Sequence, residues 1–207
     1  MIRVLGRSSS SNVQKVLWCL GELNIDFEHE PEYGGTFGRT KEPDYVSLNP
    51  NSLVPTIIDD DFVLWESHTI IRYLGATYGQ DTLWPTAPRA RALSEKWMDW
   101  NQSRLDNAYF PAFYELIRTP PVDRNKSTIE NAVKTTSKLL IILDNALSET
   151  GFVSGERLTI GDIVFGPTLH RWFNLNIERP ALPAVTEWYQ SMLQRPSYAK
   201  HVAVELS

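Results

Sequence analysis

The sequence predicts a small α/β domain followed by an all-helical bundle domain, on three observations. Residues 2–78 alternate short extended segments with helical periodicity. Leu83-Trp84-Pro85-Thr86-Ala87-Pro88 then interrupts the pattern with two prolines. Beyond that break the apolar residues recur only at helical spacing. The division expected is residues 1–80, a linker at 81–88, and 89–207.

Ile2-Arg3-Val4-Leu5 reads as a strand and Gly6 to Ser11 as a loop. Val13, Val16, Leu17, Leu20 and Leu23 fall on one helical face, and Asn24 closes that helix. Ile25-Asp26-Phe27-Glu28 is extended again, so the first 30 residues form a βαβ unit with a right-handed crossover. Residues 31–44 are rich in Gly, Pro and charge and read as a loop. Val54-Pro55 opens the strand Thr56-Ile57-Ile58, Asp59-Asp60-Asp61 turns, and Phe62-Val63-Leu64-Trp65 returns as a hairpin. A helix over 67–78 follows, with Ser67 at its expected N-cap. The order β-α-β-loop-β-β-α is that of a thioredoxin-like domain.

After the break, helices are expected at 89–118, 125–149, 160–175, 183–194 and 196–203. Pro111 is expected to kink or split the first. Thr159-Ile160-Gly161-Asp162 opens the third with a capping box that has Asp in place of Glu, a folding signal rather than a chemical one.

Two stretches carry chemistry. At the end of the hairpin, Glu66-Ser67 sets a carboxylate beside the free N–H groups and positive dipole end of a helix. With the main-chain groups at Val54, this suits an amino-acid-like ligand: Glu66 for an ammonium, Ser67 for a carboxylate, Val54 for a peptide unit. The second stretch is Ser8-Ser9-Ser10-Ser11, between the first strand and first helix. A thioredoxin-like fold holds its redox cysteines there, but this chain has no Cys-x-x-Cys. A serine hydroxyl at that helix N-terminus can instead donate a hydrogen bond to a thiolate, and any of Ser8 to Ser11 is in range; the competing reading is a flexible loop ending in an N-cap.

The hairpin, Val54-Pro55, Glu66-Ser67 and the segment Ser-Ser-Ser-Ser-Asn-Val-Gln-Lys-Val-Leu-Trp together resemble the cytosolic glutathione transferases of the bacterial serine type, similar to the theta, nu and zeta classes. The resemblance implies that glutathione is the co-substrate and that Leu53, Val54, Pro55, Glu66 and Ser67 bind it. It implies a cis Val54-Pro55 bond and places the family's catalytic hydroxyl at Ser10. Asn12 falls where some bacterial members carry a thiolate-contacting Asn. Leu53 departs from many relatives, in which a polar or basic residue helps hold the glycyl carboxylate; Phe37, Arg39 or Lys41 are the substitutes in range. The resemblance further implies conjugation to an apolar electrophile, a detoxifying role and a homodimer. A glutathione-dependent peroxidase or disulfide reductase, and a non-catalytic glutathione-binding or interaction module, are the alternative functions.

Aromatic stripes in the helical half supply the electrophile pocket in this reading, with Tyr109, Phe113 and Trp172 foremost and Arg104 or Arg171 for a charged ligand end; core packing is the competing reading of such stripes. Seven Trp and eight Tyr in 207 residues suit aromatic-lined surfaces. Net charge −5 argues against nucleic acid as a partner, and the lack of an 18-residue apolar run argues against a membrane span. Met1 to Gly6 is too short and strand-like for a signal peptide. Cys19, the single cysteine, suits a reducing compartment, hence the cytoplasm, and reads as a packed small hydrophobe. His29, His68, His170 and His201 have no metal-ligand spacing, so no metal is expected.

Overall fold

Ile2–Leu5 (β1) lies near the middle of a four-stranded mixed sheet of order β2-β1-β3-β4. β1 runs parallel to Phe27–Glu30 (β2), with Ile2 opposite Phe27, and antiparallel to Thr56–Asp59 (β3), with Val4 opposite Ile57. The hairpin to Phe62–Trp65 (β4) turns at Asp60, whose φ of 54° is one that Asp tolerates. This computed structural model describes residues 1–80 and 82–207; Asp81, in the expected linker, lies outside the described residues.

The crossover from β1 to β2 is the helix Ser11–Glu22 (α1), which buries Val13, Val16, Leu17 and Leu20 as its periodicity predicts. Asn24 adopts φ 53° and ends it, with Ile25 N–H donating to the Leu20 carbonyl at 3.1 Å. The stretch expected to be loop contains a 3₁₀ turn at Gly35–Phe37 and, at its end, the start of a helix, Pro43–Leu48 (α2). Pro43 at the first helical position and Asp44 in the first turn are the signals for that helix.

The helix Ser67–Tyr78 (α3) corrects one expectation: Ser67 is its first helical residue, and the N-cap position belongs to Glu66. Pro88–Trp100 (α4) and Asp106–Phe113 (α5) are joined and followed by π-helical turns at Asn101–Leu105 and Tyr114–Arg118, giving one helical run over 88–118. Pro111 sits inside α5 without ending it, and the changes of helical register fall on either side. Lys126–Thr150 (α6) is capped by Asn125 and stopped by Gly151 at φ 79°. The helix expected over 160–175 is two, Ile160–Ile163 (α7) and Gly166–Asn174 (α8), divided just ahead of Gly166-Pro167. Pro183–Leu193 (α9) and Pro196–His201 (α10) complete the chain.

The main apolar core runs through both halves, and a smaller cluster of Tyr109, Phe113 and Leu175 lies apart from it. Trp18 of α1 meets Tyr198 and Trp188 edge-on, at ring separations of 4.9 and 6.4 Å. Gly166 permits this close approach, because a Cβ there would stand 2.4 Å from the Trp18 ring. At the same seam, Glu22 accepts from Arg195, Ser197 and Trp18. Cys19 is fully buried in this core, and burial followed by the Glu22 charge raises its thiol pKa, so it packs as a small hydrophobe. Among the described residues, no helix is long and apolar enough to cross a membrane, and no group of three or more His, Cys, Asp or Glu is placed to hold a metal ion.

Candidate active site

The edge of β1 brings three separate stretches together. Gly6, at φ 151°, lies so close to its neighbours that a Cβ would fall 2.5 Å from Val13 and 3.0 Å from Val54. The serine loop is thereby held against the Val54-Pro55 bond, which is cis. Arg7 N–H donates to the Tyr33 carbonyl at 2.9 Å and Ser10 N–H to the Arg7 carbonyl at 3.1 Å, fixing the path of the loop.

Ser10 occupies the N-cap of α1 with extended backbone (φ −80°, ψ 122°), yet its hydroxyl makes no capping bond. It is 8% exposed and lines a cleft of about 360 Å³ between the two halves of the chain. The Ser10 hydroxyl and the first N–H groups of α1 are thus available to an anion in that cleft. Ser11 and Asn12 line the same cleft, whereas Ser8 and Ser9 do not.

Val54 and Leu53 form the opposite wall. Their loop is tied down from beneath, where the Leu53 carbonyl accepts from Tyr45 Oη (2.7 Å) and Asn49 Nδ2 (2.9 Å). Both donors also reach Thr56 Oγ1, so a buried network sets the height of the Val54 main chain. The Leu53 side chain is 66% exposed. Phe37, Arg39 and Lys41 stay outside the lining of the cleft, with Arg39 paired to Glu42 and lying over the Tyr33 ring. Glu66 and Ser67 also stand outside this cavity, at the N-terminus of α3, where Glu66 is exposed at φ 72° and Ser67 is buried.

Under the serine loop, Lys15 is 1% exposed and reaches Asn12 Oδ1 (3.2 Å), Asp106 Oδ2 (2.9 Å) and His68 Nε2 (3.3 Å). Burial first, then the charges of Lys15 and Arg72, depress the His68 pKa to about 2. His68 is therefore neutral and accepts from the lysine.

The helical half contributes a wall that differs from expectation. Trp172 is fully buried in the main core and does not face the cleft, a correction to its expected position. Phe113 is also fully buried, under the guanidinium groups of Arg171 and Arg118 at 4.3 and 5.2 Å. Tyr109 is buried beside it, and its hydroxyl accepts from Arg171 at 3.1 Å. Phe110, one residue on, is the aromatic side chain that lines the cleft, being 42% exposed. Arg104 is exposed and outside the lining, whereas Arg171 lines it along with Arg7 and Arg118. Burial, then mutual repulsion, lowers the pKa of Arg7 and of Arg118. Sequence reasoning missed Arg7 and Arg118 and ranked Phe110 behind its neighbours Tyr109 and Phe113; the one available signal for the arginines was a basic residue, Gly6-Arg7, opening the serine loop.

Comparison with known families follows the same two halves. The model described as the glutathione S-transferase N-terminal domain matches residues 9–77, and the C-terminal domain model matches residues 105–196. The chain belongs to the glutathione S-transferase family. The glutathione S-transferase GstB of Escherichia coli K12 is 39% identical over 209 aligned residues, which cover all of both chains. Glutathione S-transferase 3 of Zea mays is 28% identical, with 98% of this chain and 93% of that one aligned. A theta class glutathione S-transferase from Xanthomonas axonopodis pv. citri, solved with glutathione bound, superposes with a TM-score of 0.96 at 41% identity, covering 100% of this chain and 99% of that one. This glutathione S-transferase accordingly has the family's thioredoxin-like N-terminal domain and helical C-terminal domain.

Proposed function

We propose that this transferase binds reduced glutathione in extended form across the cleft and ionises its thiol with Ser10. The division at 81–88 separates, in this reading, a glutathione half from an electrophile half. Glu66 takes the γ-glutamyl ammonium, Ser67 and the α3 N-terminus its carboxylate, and the Val54 main chain pairs with the cysteinyl unit beside Leu53 and Pro55. The sulfur then meets the Ser10 hydroxyl and the N-terminus of α1, with Asn12 held alongside by Lys15.

A free thiol titrates near about 8.5 and is mostly protonated at neutral pH. One hydroxyl donor together with a helix N-terminus supplies roughly 1.5–3 kcal/mol of preference for the thiolate, or about one to two pKa units. The thiolate attacks the acceptor carbon, the S–C bond forms, and the leaving group departs with its electron pair. The acceptor's apolar body packs on Phe110, with Tyr109 and Phe113 forming the support behind that wall.

The observation that carries this reading is the Ser10 hydroxyl, free of any capping bond in the same cleft as Val54. Calorimetric titration with reduced glutathione near pH 7, in two buffers of different ionisation enthalpy, tests it. Saturable binding with proton release is expected; binding without release would overturn the thiolate role. A cytoplasmic homodimer completes the reading. The lone buried Cys19 supports a reducing compartment, and exposed Phe62, Tyr78 and Leu93 support self-association, which sedimentation velocity checks.

A further inference from the structure

Three arginines line the cleft without an Asp or Glu among its lining residues. Arg171 is only 4% exposed, and its two guanidinium contacts are neutral oxygens: Tyr109 Oη at 3.1 Å and the Ser9 main-chain oxygen at 2.8 Å. Arg7 donates from Nη1 to Ser9 Oγ at 2.6 Å, and its Nε is buried with no partner. Arg118, at the more exposed end, donates to an oxygen of Ser207, the last residue of the sequence, at 3.2 Å, a contact that an incoming oxyanion can exchange with. Among the described residues, no Asp or Glu side chain forms an ion pair with any of the three.

Such an arrangement is costly in the empty protein. A buried guanidinium without a counter-charge is destabilised by desolvation, and neighbouring cations repel one another. Phe113, beneath Arg171 and Arg118, offsets part of this through its ring face. Folding alone does not require three cations here, since they join no structural ion-pair network. Arg7 and Arg171 are held by Ser9, and Arg118 and Arg171 by the Phe113 ring, so all three line the same cleft as Ser10 and Phe110.

We infer that the acceptor substrate is an electrophile carrying an oxyanion, with a carboxylate the best fit to the guanidinium groups of Arg7 and Arg118. The inference rests on the glutathione-conjugating reading and names the substrate class for that same cleft. Phe110 packs on the acceptor's body while the arginines hold its charged end, presenting the reacting carbon to the sulfur. In a chloroarene acceptor, the thiolate sulfur forms the S–C bond, the C–Cl bond breaks, and chloride leaves with the electron pair; the carboxylate is a handle and is unchanged.

A matched pair of probes tests this: 4-chloro-3,5-dinitrobenzoate and its neutral carboxamide, with each enzymatic kcat/KM divided by the uncatalysed rate with glutathione. The expected result is a preference of about tenfold or more for the carboxylate, set by charge-assisted hydrogen bonds. Added salt and Arg118→Gln both reduce it, Arg7→Gln does likewise, and Arg118→Lys retains part of it. Calorimetric binding of the two finished glutathione conjugates gives the same ratio without turnover. Equal ratios, with proton release on glutathione binding intact, would overturn the inference and leave the transferase reading standing. A fall in glutathione affinity in Arg118→Gln with an unchanged ratio would assign the arginines to glutathione's own carboxylate and also overturn it. Failure of glutathione and both conjugates to bind would overturn the two together.

Discussion

Lys15 Nζ and Asp106 Oδ2 meet at 2.9 Å, joining the first helix of the thioredoxin-like half to the helical half. The ammonium is 1% exposed, while the carboxylate remains about one-quarter exposed and also accepts from Thr168 of α8 at 2.7 Å. Removing the carboxylate leaves a buried cation with only Asn12 and neutral His68 for partners. Asp106→Asn is expected to cost about 2–3 kcal/mol, below the range for a wholly buried pair because water reaches Asp106. Adding Lys15→Met to that variant recovers part of the loss. Urea unfolding of the two single variants and the double variant measures the coupling, and additive losses would show the pair to be energetically idle.

Ser10→Ala removes the hydroxyl donor and leaves the α1 N-terminus in place. The pKa of bound glutathione is expected to rise by about one unit, the hydroxyl's share of the shift, so turnover near pH 6.5 falls roughly 10-fold while the glutathione Kd changes little. Ser11→Ala is expected to do less, because Ser11 is the first helical residue of α1 whereas Ser10 holds the N-cap position. Thiolate absorbance of the binary complex followed against pH reads the shift directly. An unmoved titration in Ser10→Ala would transfer the role to another group in the cleft.

Much of this was legible in the chain because local signals agree with tertiary packing. β1, β4 and the 67–78 helix lie where their periodicity puts them, and the Thr159–Asp162 box caps its helix in both directions. Trp172 failed because a 3.6-residue stripe shows which face is buried but not whether the core or a cleft lies behind it. Phe110 failed for the converse reason, as an exposed aromatic beside Tyr109 and Phe113 carries no periodic mark. The arginine cluster draws Arg7, Arg118 and Arg171 from three distant stretches, so no spacing in the sequence could reveal it. Glu66 was read as the partner of a ligand ammonium ahead of the Ser67 cap, and its backbone conformation has no signature in composition at all.

That conformation sets up an opposition between stability and binding. Glu66 holds φ 72° and ψ 108°, a region that costs a non-glycine residue about 1–3 kcal/mol. Glu66→Gly is expected to stabilise the protein by about 1 kcal/mol, net of glycine's larger chain entropy, while glutathione affinity falls at least about tenfold with loss of the ammonium partner. Glu66→Ala separates the two effects: it weakens binding equally but gains no stability. Thermal unfolding without ligand, paired with glutathione titration, distinguishes the variants. A stabilised Glu66→Gly that binds normally would remove Glu66 from the glutathione site.

Asp162 provides a pH-dependent contribution to stability far from the cleft. Its carboxylate is fully buried and accepts from Val153 N–H (3.0 Å), Thr159 N–H (2.9 Å) and the Thr159 hydroxyl (3.1 Å). Burial outweighs these bonds and raises its pKa from 3.8 to about 6. Between about pH 4 and 6 the native protein therefore holds a proton that the unfolded chain has released. The stabilisation is fully present below the unfolded value and is lost as pH rises through the folded one, by about 3 kcal/mol at most. Asp162→Asn cannot titrate, so the unfolding free energy of the wild type minus that of the variant is expected to decline from pH 4 to about 6.5 and then level off. Urea denaturation of both proteins across that window measures the difference. A flat difference would mean that the three hydrogen bonds hold Asp162 at an ordinary carboxylate pKa, and that the capping box is equally strong at every pH at which the protein folds.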